Sequence, residues 1–240
     1  MKIHSMICAF ALAAAASAAV VTGGNTCGLM NVPSTSEITM IAVPWVNVGG
    51  GDVEVAKLVK TDTLTAGDEL YYYDGTSYNR WVLEADKTWK PSAVSNAQGT
   101  FVSPAADLGI ARGKGLILVR QSTASEIWVY GQNDTTAVSV KPAAGTAEAP
   151  VYTMIANPKT AAFDLNAKGV AGAAGDQIVF PGTTEIYSCN GTAWTKTVSE
   201  QKAIGTQTVT VKKQSTDGVV IPAGQGAWYV SKGGSPTINW

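Results

Sequence analysis

Histidine is nearly absent from this chain of 240 residues: the single one, His4, lies in a segment read below as a removable leader. A mature chain without histidine runs no Ser–His–Asp or Cys–His catalysis and offers no imidazole to zinc. Cysteine is scarce, with three in the whole sequence. Charge is scarce too, at 15%, and balanced, with 17 Lys+Arg against 18 Asp+Glu. That balance leaves no basic excess to hold nucleic acid or an anionic membrane. Beyond the leader no run is long and apolar enough to span a bilayer. What is present is 45% apolar residues, enough to bury a core, in a length that suits one or two domains.

Residues 1–18 read as a secretory signal peptide. Lys2 supplies the positive start, Met6 to Ala16 is apolar, and Ala16-Ser17-Ala18 gives the small-x-small pattern for cleavage before Ala19, give or take two residues. The competing reading is an N-terminal anchor, which the alanine-rich second half of the stretch disfavours. The protein is therefore expected to be secreted or held at the cell surface, with periplasmic and extracellular placement both open. Cys8 leaves with the leader. Cys27 and Cys189 remain, either as one long-range disulfide or as two separate thiols.

An internal repeat follows. Thr39–Pro44 recurs at Thr153–Pro158, Ala66–Leu70 at Ala174–Ile178, Asp74–Tyr78 at Asn190–Trp194, and Ile110–Gly115 at Ile221–Gly226. Four blocks in one order imply two copies of one module. The expected division is 19–135 and 136–240, with Val138–Pro142 aligned to Leu29–Pro33 and Pro142 to Pro150 read as a loop inside the second copy, the alternative being a linker between the two.

Each copy reads as β. Glu69 to Asp74 and Asn79 to Glu84 are rich in aromatic and β-branched residues, and Asp74-Gly75 between them is a hairpin signal. Leu116–Val119 and Ala227–Val230 are short apolar runs suited to buried strands. Val53 to Lys60, with Asp52 as N-cap, is the one notable helical candidate, and Asp164 to Lys168 its weaker counterpart. The fold class expected is all-β: two tandem homologous sandwich or barrel-like modules with many short antiparallel strands.

Several residue groups invite a functional reading. Gly113, Gly115, Gly224 and Gly226 lack phosphate-loop spacing and suit turns or bulges entering a buried strand. Asp68 and Asp176, at matching positions, suit turns that bond their own backbone; calcium would need more oxygen ligands nearby. Glu37, Glu69, Glu84 and Asp86 supply carboxylates for glycoside cleavage, but no deep cleft for a pair is evident. Seven tryptophans and eight tyrosines allow a sugar-stacking platform, with Trp81, Trp89, Trp194 and Tyr78 its best candidates; the alternative is that these rings fill a thin core. Asn133-Asp134-Thr135 and Asn190-Gly191-Thr192 are glycosylation sequons if the host modifies them.

The repeated elements resemble a family of exported, uncharacterised bacterial all-β proteins. Its modules carry "hydrophobic-Ile-Ala-x-Pro", "Ala-Gly-Asp-x-hydrophobic", "Asp-Gly-x-x-Tyr", a tryptophan strand and "Pro-x-Gly-x-Gly-aromatic". Here they stand at Met40 to Pro44, Ala66 to Leu70, Asp74 to Tyr78, Trp81 and Trp89, and Ile110 to Leu116, and again at Met154 to Pro158, Ala174 to Ile178, Asn190 to Trp194, and Ile221 to Trp228. Ala111 and Leu116 depart from the pattern in the first copy, and Asn190 in the second. The resemblance implies export and fold class but no chemistry. The function expected is a non-enzymatic structural or adhesive role at the cell envelope or outside it, without a cofactor, with a glycan or other envelope proteins as partner. The alternatives are carbohydrate binding through surface Trp/Tyr and, more distantly, a hydrolase.

Overall fold

A computed structural model describes residues 27–32, 34, 36–47, 51–74, 76–96, 99–105, 108–123, 126–132, 136–204 and 207–240. The leader, the sequon at 133–135 and the expected boundary at 135 lie outside them. The first half carries β1 (Cys27–Val32), β2 (Ile38–Ala42), β3 (Val53–Glu54), β4 (Glu69–Tyr73), β5 (Tyr78–Leu83), β6 (Trp89–Pro91), β7 (Val94–Asn96), β8 (Gly99–Val102), β9 (Gly109–Ile110), β10 (Gly115–Val119) and β11 (Ile127–Gln132). The second carries β12 (Ser139–Val140), β13 (Val151–Ala156), β14 (Phe163–Asp164), β15 (Gln177–Val179), β16 (Ile186–Cys189), β17 (Trp194–Ile204), β18 (Gln207–Ser215), β19 (Val220–Ile221), β20 (Gly226–Ser231) and β21 (Ile238–Asn239). The chain is all-β, and among the described residues its strand pairs are antiparallel except β5–β8.

Residue alternation explains which face each strand buries. In β5 Asn79, Trp81 and Leu83 point inward while Tyr78, Arg80 and Val82 face out. Leu70 on β4 and Leu116 and Leu118 on β10 complete that layer, fully buried. The second half builds its own core from Ile155, Ile178, Tyr187, Trp194 and Tyr229. Trp194 is 0% exposed, and its indole N–H donates to the Val170 carbonyl at 2.8 Å, so its polar atom is satisfied inside. Burial of such a ring stabilises by roughly 1.5–3 kcal/mol.

Strand order and register correspond between the halves. The large sheets run β2-β10-β4-β5 and β13-β20-β15-β16 before they diverge. Gly115 pairs with Ala42 as Gly226 pairs with Ala156. The Leu83 amide donates to the Asp68 carbonyl, and the Cys189 amide to the Asp176 carbonyl. Short pairs flank each sheet: β1–β11 and β3–β9 in one half, β12–β21 and β14–β19 in the other. Among the described residues every pairing of named strands stays within one half. The loop from Pro142 to Pro150 packs on the second half, where the Gly145 amide donates to Ser231 Oγ at 2.9 Å.

Two sequence-based alignments need correction. Asp74–Tyr78 forms the turn from β4 into β5, whereas Asn190–Trp194 lies between β16 and β17. Because Leu83 corresponds to Cys189, the residue matching Trp194 is Trp89, and the β4–β5 turn corresponds to the segment after Val179. The opening strand is shifted by one residue: Val32 pairs with Ile127 as Val140 pairs with Ile238, so Val138 matches Met30 rather than Leu29. Such a slip exchanges the two faces of a strand. By the same register Trp240 corresponds to Val129. The helical candidate is also reduced, to a single 3-10 turn at Val55–Lys57; its N-cap is Glu54, not Asp52, and residues 53–54 are strand.

The halves meet through the outward faces of β2, β10, β13 and β20. Ile41 bridges to Gln225, and the Ala42 amide donates to the Gly224 carbonyl at 2.7 Å. Gly113 (φ 84°) and Gly224 (φ 68°) turn the chain into β10 and β20 in the left-handed region that favours glycine. A Cβ on Gly113 would collide with Val138 of the other half, and one on Gly224 would lie 2.5 Å from Met30 Cε. Since Val138 and Met30 are themselves equivalent, the junction is approximately two-fold symmetric. Gly115 and Gly226 lie beside it, within 3.2 and 2.7 Å of Met40 side-chain atoms for an added Cβ.

Candidate functional site

The most distinctive exposed chemistry is aromatic, and it gathers where the two large sheets meet. The turn between β4 and β5 is set by Asp74: its Oδ1 accepts from the Thr76 and Ser77 amides at 2.8 Å, and its Oδ2 from Asn79 Nδ2 at 2.9 Å. Period-two geometry then sends Leu70 and Tyr72 toward the core and leaves Tyr71 and Tyr73 on the outer face. Tyr73 and Tyr78 are cross-strand partners, with ring centroids 4.9 Å apart. Phe101 on β8 lies 6.0 Å from Tyr78 and 5.0 Å from Tyr71, extending the row.

The second sheet provides the opposite wall. Met154 pairs with Trp228 and Tyr152 with Val230, so Tyr152 and Trp228 are diagonal neighbours on one face, 6.4 Å apart at 81°. Tyr73, Tyr78, Tyr152 and Trp228 together line a cavity of about 360 Å³. It adjoins a second of about 230 Å³, which shares Tyr73 and Tyr152 and adds Asp74, Lys114 and Thr153. Tyr152 is 60% exposed and Tyr73 37%. The rings are inclined rather than coplanar, so they form an aromatic groove and not a flat platform.

The electrostatics of the groove are mild. Hydrogen bonds from the Ser77 amide, from Asn79 and from the Thr76 amide hold the Asp74 carboxyl below the usual carboxylate range. Burial, with the neighbouring Tyr73, pushes the Tyr78 phenol up, so it stays protonated at neutral pH. On the same sheet face Glu69 takes an ion pair from Arg80 at 2.6 Å and a hydrogen bond from the Tyr71 hydroxyl. Burial alone would raise the Glu69 carboxyl, but the Arg80 and Tyr71 hydrogen bonds outweigh it and hold it low. These carboxylates serve strand and turn.

Of the four aromatics nominated from sequence, only Tyr78 lies in the groove. Trp81, Trp89 and Trp194 are 3%, 5% and 0% exposed and belong to the cores. The signal that separates them is strand phase: Trp81 is two residues from Leu83 and shares its inward face, whereas Tyr78 is out of phase with both. Tyr73, Tyr152 and Trp228 were missed; each adjoins an inward-facing neighbour and so must face out. Asp68 and Asp176 are both fully buried and occupy the same turn in each half. Asp68 accepts from the Thr65 and Gln121 amides at 2.9 and 2.7 Å. Asp176 accepts from Ala173 and Lys232 at 2.8 and 2.7 Å, and also from the Tyr229 hydroxyl at 2.5 Å. Cys189 is a free, buried thiol packed beside Trp194, so the Cys27–Cys189 disulfide is not formed.

A larger depression, about 490 Å³, lies on the first half alone between Leu29, Trp89 and Tyr130. Its two cations are engaged: Lys60 pairs with Asp62 at 3.4 Å, and Lys87 Nζ donates to the Leu64 carbonyl. The inter-sheet groove carries the denser aromatic lining. Comparison of the chain with protein-family models, curated proteins and solved structures finds no match.

Proposed function

We propose that this is an exported, non-enzymatic adhesive protein of the cell envelope or extracellular space, and that the inter-sheet groove is its contact face. Two tandem copies of one module clasp each other through the glycine-lined junction and hold the groove walls in place. The observation that carries the reading is Tyr152. A tyrosine 60% exposed beside Trp228, Tyr73 and Tyr78 leaves apolar ring surface in water where a bound surface would cover it. The leader-like start and the motif likeness to exported proteins support the compartment.

The test is co-sedimentation of the purified mature protein with deproteinised envelope from the producing cells. The wild type is expected in the pellet and the Tyr152→Ala/Trp228→Ala double variant in the supernatant. Equal pelleting of both, or of neither, contradicts the reading.

A further inference from the structure

The approximate two-fold symmetry of the junction gives every groove position a counterpart on the opposite side. Counting along the paired strands, Tyr152 corresponds to Ile38 and Trp228 to Ile117; Tyr73 and Tyr78 correspond to Pro181 and Thr184. The opposite side therefore has no aromatic residue at any of the four positions. It is also occupied by the chain itself. Ser36 Oγ donates to the Gly182 carbonyl at 2.8 Å, and Gly182 sits so close that a Cβ would collide with Ser36 and with the Ile38 carbonyl. One of two quasi-equivalent spaces is narrowed by the contacts of Ser36 and Ile38 with Gly182, while the other is open and lined by four rings. A packing defect inherited from the symmetry would occur on both sides.

Resting on the reading of the groove as the contact face, we infer that it binds one neutral glycan chain per molecule. Inclined rings present apolar faces to the C–H surfaces of pyranose rings, and phenolic hydroxyls both donate and accept toward sugar hydroxyls. The rim carries one carboxylate, Asp74, and one ammonium, Lys114, so it favours neither an acidic nor a basic ligand. Two adjacent cavities that share Tyr73 and Tyr152 give contact surface beyond a single site, which suits a chain of sugars better than a single ring.

Isothermal titration calorimetry of the mature protein tests this, with neutral hexasaccharides as probes: cello-, xylo-, manno-, malto- and chito-hexaose. Hexagalacturonate and a decaproline peptide serve as comparators. At least one neutral hexaose is expected to bind with one site per chain. Tyr152→Ala, at a side chain too exposed to carry the fold, is expected to weaken that binding tenfold or more, and Ile38→Ala on the opposite side to leave it unchanged. Failure of every neutral hexaose, two sites per chain, binding of hexagalacturonate or decaproline alone, or full affinity in Tyr152→Ala would each overturn the inference. If the glycans fail while groove-dependent envelope binding persists, the adhesive reading stands without its ligand. If both fail, that reading falls too.

Discussion

Replacing Asp176 by alanine removes one buried acceptor from several donors at once. The carboxylate is 0% exposed and accepts from the Ala173 and Lys232 amides and the Tyr229 hydroxyl, all within 2.8 Å, with the Gly234 amide at 3.4 Å. Each donor left buried without an acceptor costs about 1–3 kcal/mol, and the three short bonds are not independent, so the net loss is about 4 kcal/mol. For a domain of this size that lowers the melting temperature by roughly 10 °C. Burial alone would raise the Asp176 carboxyl, but the Tyr229 and backbone hydrogen bonds outweigh it and hold it below the usual range. A carboxyl depressed in the folded state stabilises above its unfolded value, near pH 4, and loses that contribution as pH falls through the folded value. Wild type should therefore lose stability on acidification below about pH 4 more steeply than Asp176→Ala. Thermal unfolding followed by circular dichroism at pH 7 and at steps below pH 4 measures both effects. A melting temperature within about 2 °C of wild type at pH 7 would refute the turn-locking argument.

Gly224→Ala combines a left-handed φ with a collision against Met30, and is expected to destabilise by about 2 kcal/mol or more in chemical denaturation. Deleting Asn239 and Trp240 removes a ring packed 4.5 Å from Phe163 and the backbone bond from Trp240 to Val138, which should cost roughly 2–3 kcal/mol in the same assay. An unchanged midpoint in either case contradicts the packing described. Cys189 should resist alkylation in the native state and react fully in denaturant, read by peptide mass; rapid native labelling would place it elsewhere than beside Trp194.

The all-β class was legible because strand alternation and glycine-bearing turns are local signals. Gly113 and Gly224 were recognisable because a Gly-x-Gly step before an apolar run reports a backbone requirement that survives when the flanking residues change. The pairing of Asp74-Gly75 with Asn190-Gly191 failed for the opposite reason. An Asx-Gly turn serves any hairpin, so likeness of turn chemistry does not identify which two strands it joins. The discriminating contacts, Leu83 to Asp68 and Cys189 to Asp176, are long-range ladder bonds with no local signature. The groove was only partly legible. Phase assigns Tyr73, Tyr152 and Trp228 to outer faces, but that two such faces lie opposite each other depends on the junction between the halves.

Nitration of surface tyrosines tests the contact face most directly. Tyr130 is as exposed as Tyr73, at 37% each, but lines the other depression, and so serves as an internal control. Mature protein is treated with tetranitromethane, free and bound to deproteinised envelope, and each tyrosine is quantified by peptide mass spectrometry. Bound protein is expected to show Tyr73 and Tyr152 protected while Tyr130 reacts as in the free protein. Protection of Tyr130 with Tyr152 still fully reactive would contradict the assignment of the groove.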